Sequence, residues 1–299
     1  MQQPPWFDGF TAERRRANGI DLNVRHGGKG TPLLLLHGFP QTHAIWHRMA
    51  PRLAEHHYLV MPDLRGYGDS DKPASTSDHA PYSKRTMALD VVELMRSFGF
   101  GRFFVCGHDR GGRVAHRLAL DHPRAVARLM LLDISPTRTM YERTTMEFAT
   151  LYYHWFFLIQ PEPLPETLIG ADPGFYLRTK LGGWGSAGTS FFDPRALAEY
   201  ERCFTQAAIH AMCEDYRAAA SIDLQHDRED EMRRIECPLR VLWGERGVVH
   251  RLFAPLADWQ AKSQLPVSGG TTPTGHYIAE EAPDRLADDM LEFFKGPLD

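Results

Sequence analysis

The feature that most constrains this chain is the segment Gly107-His108-Asp109-Arg110-Gly111-Gly112, set between an apolar run, Phe103 to Cys106, and a helical pattern carrying Val114, Leu118 and Leu120. Strand, sharp turn and helix in immediate succession need a backbone that reverses within a few residues. Flanking glycines permit that, and the turn lifts its central side chain, here Asp109, to the carboxyl edge of a sheet. Three further runs, Leu33 to Leu36, Tyr58 to Met61 and Leu129 to Leu132, are apolar almost throughout. Such runs suit parallel strands covered on both faces. Between the second and third strands in chain order, Ser83 to Phe98 places Met87, Val91, Met95 and Phe98 at helical spacing, and Gly99 and Gly101 end the pattern. Alternating strands and helices predict a doubly wound α/β core.

From Thr137 the texture changes to an aromatic cluster (Tyr152, Tyr153, Trp155, Phe156, Phe157), a proline-rich stretch (Pro161 to Glu166) and helical pieces through Asp230. Leu239 to Trp243 restores a strand, and Asp284 to Phe294 gives a closing helix with Leu286, Met290 and Phe294 on one face. The expected organisation is therefore a core over 1–136, an inserted helical cap over 137–235 and a second core part over 236–299. With 43% hydrophobic and 24% charged residues, the chain is not of a disordered, collagenous or disulfide-scaffold class. A formal charge of −4 gives no field favouring nucleic acid or an acidic membrane. Cys106, Cys203, Cys213 and Cys237 form no CxxC pairing, so neither zinc nor a disulfide framework is expected. Met1 to Phe10 lacks a basic or apolar leader, and the longest apolar stretch, Tyr152 to Ile159, is far below the roughly 20 residues of a membrane span. The expectation is a soluble, cytoplasmic protein.

Three more elements assemble around Asp109. The run Leu33 to Leu36 ends in His37-Gly38-Phe39-Pro40, the turn that in α/β-hydrolases commonly supplies one oxyanion-hole N–H, here from Phe39; the second would come from Arg110. Asp63-Leu64-Arg65-Gly66-Tyr67-Gly68-Asp69-Ser70 is also typical of that fold. Gly275-His276 lies between the last strand and the last helix, where the base belongs. For the acid, Asp133 ends a strand 24 residues after Asp109, and Glu245 in Gly244-Glu245-Arg246-Gly247 is the rival. Nucleophile, acid and histidine follow in the expected chain order. The 15 histidines include no HExxH or similar spacing, so no metal is expected.

With these residues in place the whole chain resembles the fluoroacetate dehalogenases, a branch of the α/β-hydrolase superfamily. The diagnostic segment is His108-Asp109-Arg110-Gly111-Gly112-Arg113, because haloalkane dehalogenases usually carry Trp after the nucleophile. The resemblance implies an α/β-hydrolase fold with a mostly parallel central sheet, helices on both faces and an inserted helical cap. It implies that Arg110 and Arg113 bind a substrate carboxylate through planar guanidinium groups. His154, Trp155 and Tyr216 match the family's halide-binding trio, and Trp184 would bound the pocket. Asp109 would displace halide from a haloacetate, and His276, oriented by Asp133, would activate water against the resulting ester. No cofactor is implied; a homodimer is, since relatives often form one.

Epoxide hydrolysis is the nearest enzymatic rival, using the same Asp-His-Asp set with ring-opening tyrosines from the cap, for which Tyr152, Tyr153 and Tyr216 are available. Paired arginines match an apolar epoxide poorly. A non-catalytic ligand-binding protein on this fold should have lost a member of the catalytic set, and none is missing. One departure from the family is Ser268 to Thr274, longer and more polar than expected, which could displace the base loop.

Overall fold

A computed structural model describes residues 6–186 and 188–298, so Met1 to Pro5 of the N-terminal segment lie outside the described residues, as do Ala187 and Asp299. Eight strands form one sheet: β1 (Thr11–Ala17), β2 (Ile20–Gly28), β3 (Thr31–Leu36), β4 (His57–Pro62), β5 (Phe103–His108), β6 (Val126–Leu132), β7 (Leu239–Gly244) and β8 (Ser268–Thr272). Their spatial order is β1-β2-β4-β3-β5-β6-β7-β8. The β1–β2 and β2–β4 pairings are antiparallel and the rest parallel.

The central strands bury both faces. Leu34, Leu36, Val105, Leu129 and Leu131 point into one apolar cluster with the helices Lys84–Ser97 and Asp109–Asp121. Leu33, Leu35, Phe104, Cys106, Met130 and Leu132 point into a second, with Trp46, Met49 and the C-terminal helix Pro283–Phe293, which contributes Leu286 and Met290. Period-two alternation with both faces covered explains why these strands read as unbroken apolar runs.

Three strands differ from the sequence reading. The β1–β2 hairpin is absent from it because Thr11–Ala17 is a largely exposed edge strand rich in arginine, which an edge tolerates. Its signal is Asn18-Gly19, both at positive φ (45° and 78°), the pair that favours a tight hairpin turn. The third is β8. Over Ser268–Thr272 the polar segment that could displace the base loop is the edge strand that pairs with β7, Val241 opposite Gly269, and the chain then leads into that loop.

Between β6 and β7 the described residues are helical, from Thr137–Glu142 to Ile222–Glu229, and this insert, the cap of the sequence reading, packs Asp215 and Tyr216 against Arg110 just beyond β5. Its longest helix, Gln206–Ala220, starts where the Thr205 side chain accepts from the Ala208 N–H. Strand order reverses between β3 and β5, whose carboxyl ends lie side by side; in open α/β sheets that crevice is where ligands bind.

Candidate active site

The turn from β5 into the helix Asp109–Asp121 holds Asp109 at φ 44°, a left-handed conformation that a non-glycine side chain adopts at a cost. The approach is close enough to require glycine: a Cβ on Gly111 would lie 2.3 Å from the His37 carbonyl, and one on Gly38 would lie 2.6 Å from the Asp109 Cβ. That closeness brings the Phe39 N–H to the buried carboxylate, donating to Asp109 Oδ2 at 3.0 Å. Arg110 is the next residue of the helix, whose first N–H groups have no intrahelical acceptor.

Asp133, just beyond β6, points its Oδ2 at His276 Nδ1, 2.5 Å away, while its Oδ1 accepts from the Gly244 N–H at 2.9 Å. Of the two acids left open by the sequence, Glu245 is exposed. Two backbone contacts hold His276: its N–H donates to the Trp184 carbonyl at 3.2 Å, and its carbonyl accepts from His108 Nε2 at 2.9 Å. Burial depresses the proton affinity of His276, but the hydrogen bond and charge of Asp133, with the charge of Asp109, outweigh it and raise the pKa. For Asp109, burial favours the neutral acid, yet the charges of His276, Arg113 and Arg110 hold its pKa below the ordinary value. His108 itself is pushed down to about 3 by burial, so it stays neutral at physiological pH.

The two arginines expected to bind one carboxylate differ in their protein partners. Arg110 makes a forked ion pair with buried Asp215: Nε to Oδ2 at 2.8 Å, Nη2 to Oδ1 at 2.8 Å, and Nη2 to the Asp215 carbonyl at 2.8 Å. Asp215 also accepts from the Tyr67 hydroxyl at 2.7 Å and from Lys84 Nζ. Only Nη1 of Arg110 lacks a partner among the described residues. Arg113 is equally buried but meets neutral groups: Nη1 donates to the Ser135 carbonyl (3.2 Å) and Thr137 Oγ1 (2.9 Å), and Nη2 lies 3.3 Å from Met140 Sδ. Its Nε has no partner among the described residues. Each guanidinium lies over an aromatic face, Arg110 4.2 Å from the Tyr216 ring and Arg113 4.6 Å from the Trp155 ring.

The cap brings His154, Trp155 and Tyr216 together, with the His154 and Tyr216 rings 5.6 Å apart and Trp155 and Tyr216 6.5 Å apart. Trp184, half-buried, packs against His154 (ring centroids 4.6 Å apart), His276 (5.1 Å) and Phe39 (6.5 Å). The Tyr216, Tyr152 and Tyr141 hydroxyls and His154 Nδ1 are buried without a partner among the described residues. Tyr153 is instead 43% exposed, with its ring 3.5 Å from Lys180 Nζ. Sequence reasoning missed Asp215, Lys84 and Lys180. Asp215 precedes Tyr216 on one helix, but nothing local marks it as buried. The one cluster of described residues that could hold a metal, Asp69, Glu199 and Cys203, is outside this site, with Arg202 between its carboxylates.

Fold and site together define the class. Residues 31–225 match the family described as alpha/beta hydrolase fold, and the chain belongs to that family. It is 46% identical over 288 residues to a fluoroacetate dehalogenase of a Burkholderia species, covering 96% of this chain and 94% of that one. A soluble epoxide hydrolase of Corynebacterium sp. (strain C12) is 32% identical over 95% of this chain and 97% of its own. Among solved structures, a Nostoc sp. PCC 7120 protein assigned to the α/β hydrolases superposes with a TM-score of 0.95 at 54% identity, covering 97% of this chain and all of that one. The protein is thus an enzyme of hydrolytic type. No helix among the described residues is long and apolar enough to cross a membrane.

Proposed function

We propose that this protein hydrolyses haloacetates, fluoroacetate among them, to glycolate and halide. The observation that carries this reading is Arg113, a buried cation whose hydrogen-bond partners among the described residues are all neutral, on the same helix as the Asp109 carboxylate. A desolvated guanidinium of that kind favours a small carboxylate ligand. Arg110 adds the N–H of its free Nη1. With the carboxylate so held, Asp109 displaces halide in line from the adjacent carbon, and the departing halide is received by His154, Trp155 and Tyr216. The ester formed keeps its carbonyl oxygen near the Phe39 and Arg110 N–H groups, which stabilise the oxyanion when water attacks.

His276, oriented by Asp133, takes the proton from that water. Esterification removes the charge of Asp109, one of the charges that raise the pKa of His276. The imidazole therefore becomes easier to find neutral in the intermediate, when a base is needed. Residues 137–235 act as the cap that excludes bulk water and Trp184 bounds the pocket. Four buried free cysteines suit a reducing cytoplasm, and the exposed Leu164, Leu168 and Phe175 of the cap suit a homodimer.

The test is the His276→Asn variant exposed to fluoroacetate or chloroacetate. Halide should be released once per site and intact mass should show a carboxymethyl adduct, mapped by peptide digestion to Asp109. An adduct elsewhere, or turnover that survives Asp109→Ala, would refute the reading.

A further inference from the structure

His276 works only in the second half of the proposed reaction, and the loop that carries it leaves an edge strand. That strand, β8, is Ser-Gly-Gly-Thr-Thr, and its one neighbour in the sheet is β7. A base misplaced by about 1 Å can cost about a hundredfold in rate, so the loop needs a firmer hold than the strand supplies. Asp133 orients the imidazole, and His108 and the Trp184 carbonyl meet the backbone of His276 itself. The residues flanking His276 are held by a group the mechanism has not used.

That group is Glu281, the last residue of the short helix Ile278–Glu281, with its side chain 7% exposed. Its Oε2 accepts from the Gly275 N–H at 2.8 Å, and its Oε1 accepts from the Tyr277 N–H at 3.3 Å. These are the peptide groups on either side of His276. Oε1 also accepts from the Ser186 hydroxyl at 2.8 Å, and Oε2 pairs with Arg246 Nη2 at 2.9 Å. Arg246 in turn donates from Nη1 to the Pro273 carbonyl at 2.6 Å, and its backbone N–H donates to the Thr274 carbonyl at 3.1 Å. Ser186 lies two residues beyond Trp184. One carboxylate therefore joins the base loop, the turn after β7 and the Trp184 turn of the insert. Four donors match the roughly four acceptor positions of an ionised carboxylate, and an amide of the same size would lose at least one of them.

We propose that Glu281 is a positioning residue for the base: it clamps the backbone on both sides of His276, ties it to the Trp184 turn, and so serves hydrolysis of the ester rather than its formation. The inference rests on the proposed role of His276. Asp109 attacks the haloacetate without help from a base, so that step tolerates a displaced loop. Attack of water on the ester needs the imidazole within hydrogen-bond reach.

The experiment separates the two steps in the intact enzyme with chloroacetate, whose halide departs readily. kcat/KM reports the steps through chloride departure, and the fraction of enzyme carrying the carboxymethyl ester, read by intact mass after rapid quenching, reports hydrolysis. Glu281→Gln should leave kcat/KM within about threefold while lowering kcat about tenfold or more, so that KM falls with kcat. The ester-bearing fraction at saturating substrate should rise. Arg246→Met, at a side chain 49% exposed, should give the same pattern more weakly, and it stands in if Glu281→Gln fails to fold. A kcat/KM that falls as far as kcat would make Glu281 a support of the fold alone, and an unchanged kcat in both variants would remove its role; either result overturns the inference. An unmodified enzyme that releases no chloride, or a His276→Asn variant that accumulates no ester, refutes the dehalogenase reading itself.

Discussion

At the carboxyl edge of the sheet, the Asp109 and Asp133 carboxylates already have protein donors, from Phe39, Gly244 and His276. On the cap facing them, the hydroxyls of Tyr141, Tyr152 and Tyr216 and His154 Nδ1 have none among the described residues. The sheet side is therefore held in place by the protein's own donors before anything binds, as the proposed covalent chemistry requires. The cap side is left to be completed by what enters. The arginines straddle this boundary: Arg110 is paired with Asp215 through all but its Nη1, whereas Arg113 has no ion pair among the described residues and acts on Asp109 through its charge alone.

The largest effect should come from breaking the preset side. Asp133→Asn should lower kcat by about a thousandfold or more, by analogy with the aspartate of a serine-protease triad, whereas Glu245→Gln, at an exposed position, should change it less than about twofold. Steady-state halide release decides between them, and equal losses would move the acid role to Glu245. Next come the arginines. Arg113→Met should cost about 2 to 5 kcal/mol in kcat/KM for haloacetate. Arg110→Met should leave Asp215 with only Lys84 and Tyr67 as partners and cost about 1 to 3 kcal/mol of folding stability, read from urea denaturation. If Arg113→Met were the variant that unfolds, the distinction between the two would be wrong.

A smaller effect sharpens the account of the cap. Tyr216→Phe should penalise fluoroacetate more than chloroacetate by about 1 to 3 kcal/mol, since developing fluoride is the stronger hydrogen-bond acceptor. Matched kinetics on both substrates measure it, and equal losses would reduce Tyr216 to a wall of the pocket. The smallest effect concerns Lys180, whose charge meets the rings of Tyr153, Tyr176 and Trp184 and whose pKa burial lowers to about 7. The unfolded chain then binds more protons between pH about 7 and about 10.4, so this residue makes stability rise with pH across that window. Lys180→Met should flatten the rise and stabilise the fold at pH 7 by about 1 to 2 kcal/mol, a figure discounted for partial screening. Denaturation midpoints across that pH range provide the check.

The elbow and the five inner strands are legible because burial on both faces leaves runs such as Leu33 to Leu36 with no polar interruption. The edges are not: β1 is arginine-rich and β8 is Ser-Gly-Gly-Thr-Thr, compositions that exposure permits and that resemble loops. In the site, Asp109, Asp133 and His276 follow from their places at strand ends. The inequality of Arg110 and Arg113 does not follow, because it depends on Asp215, 105 residues from Arg110 in the chain and indistinguishable in sequence from a solvated helix charge. Long-range pairing of buried charges leaves no periodic trace.

Asp215 belongs to the cap, while its partners Arg110, Lys84 and Tyr67 all belong to the core. Lifting the cap as a unit would pull a carboxylate away from two buried cations at once. In calorimetric terms the insert and the sheet should melt as one cooperative unit, with no lower transition for the cap. For anyone recombining caps among related enzymes, the boundary between exchangeable parts does not follow the chain: a transplanted cap has to bring an acid for Arg110, or the recipient core has to surrender its cations.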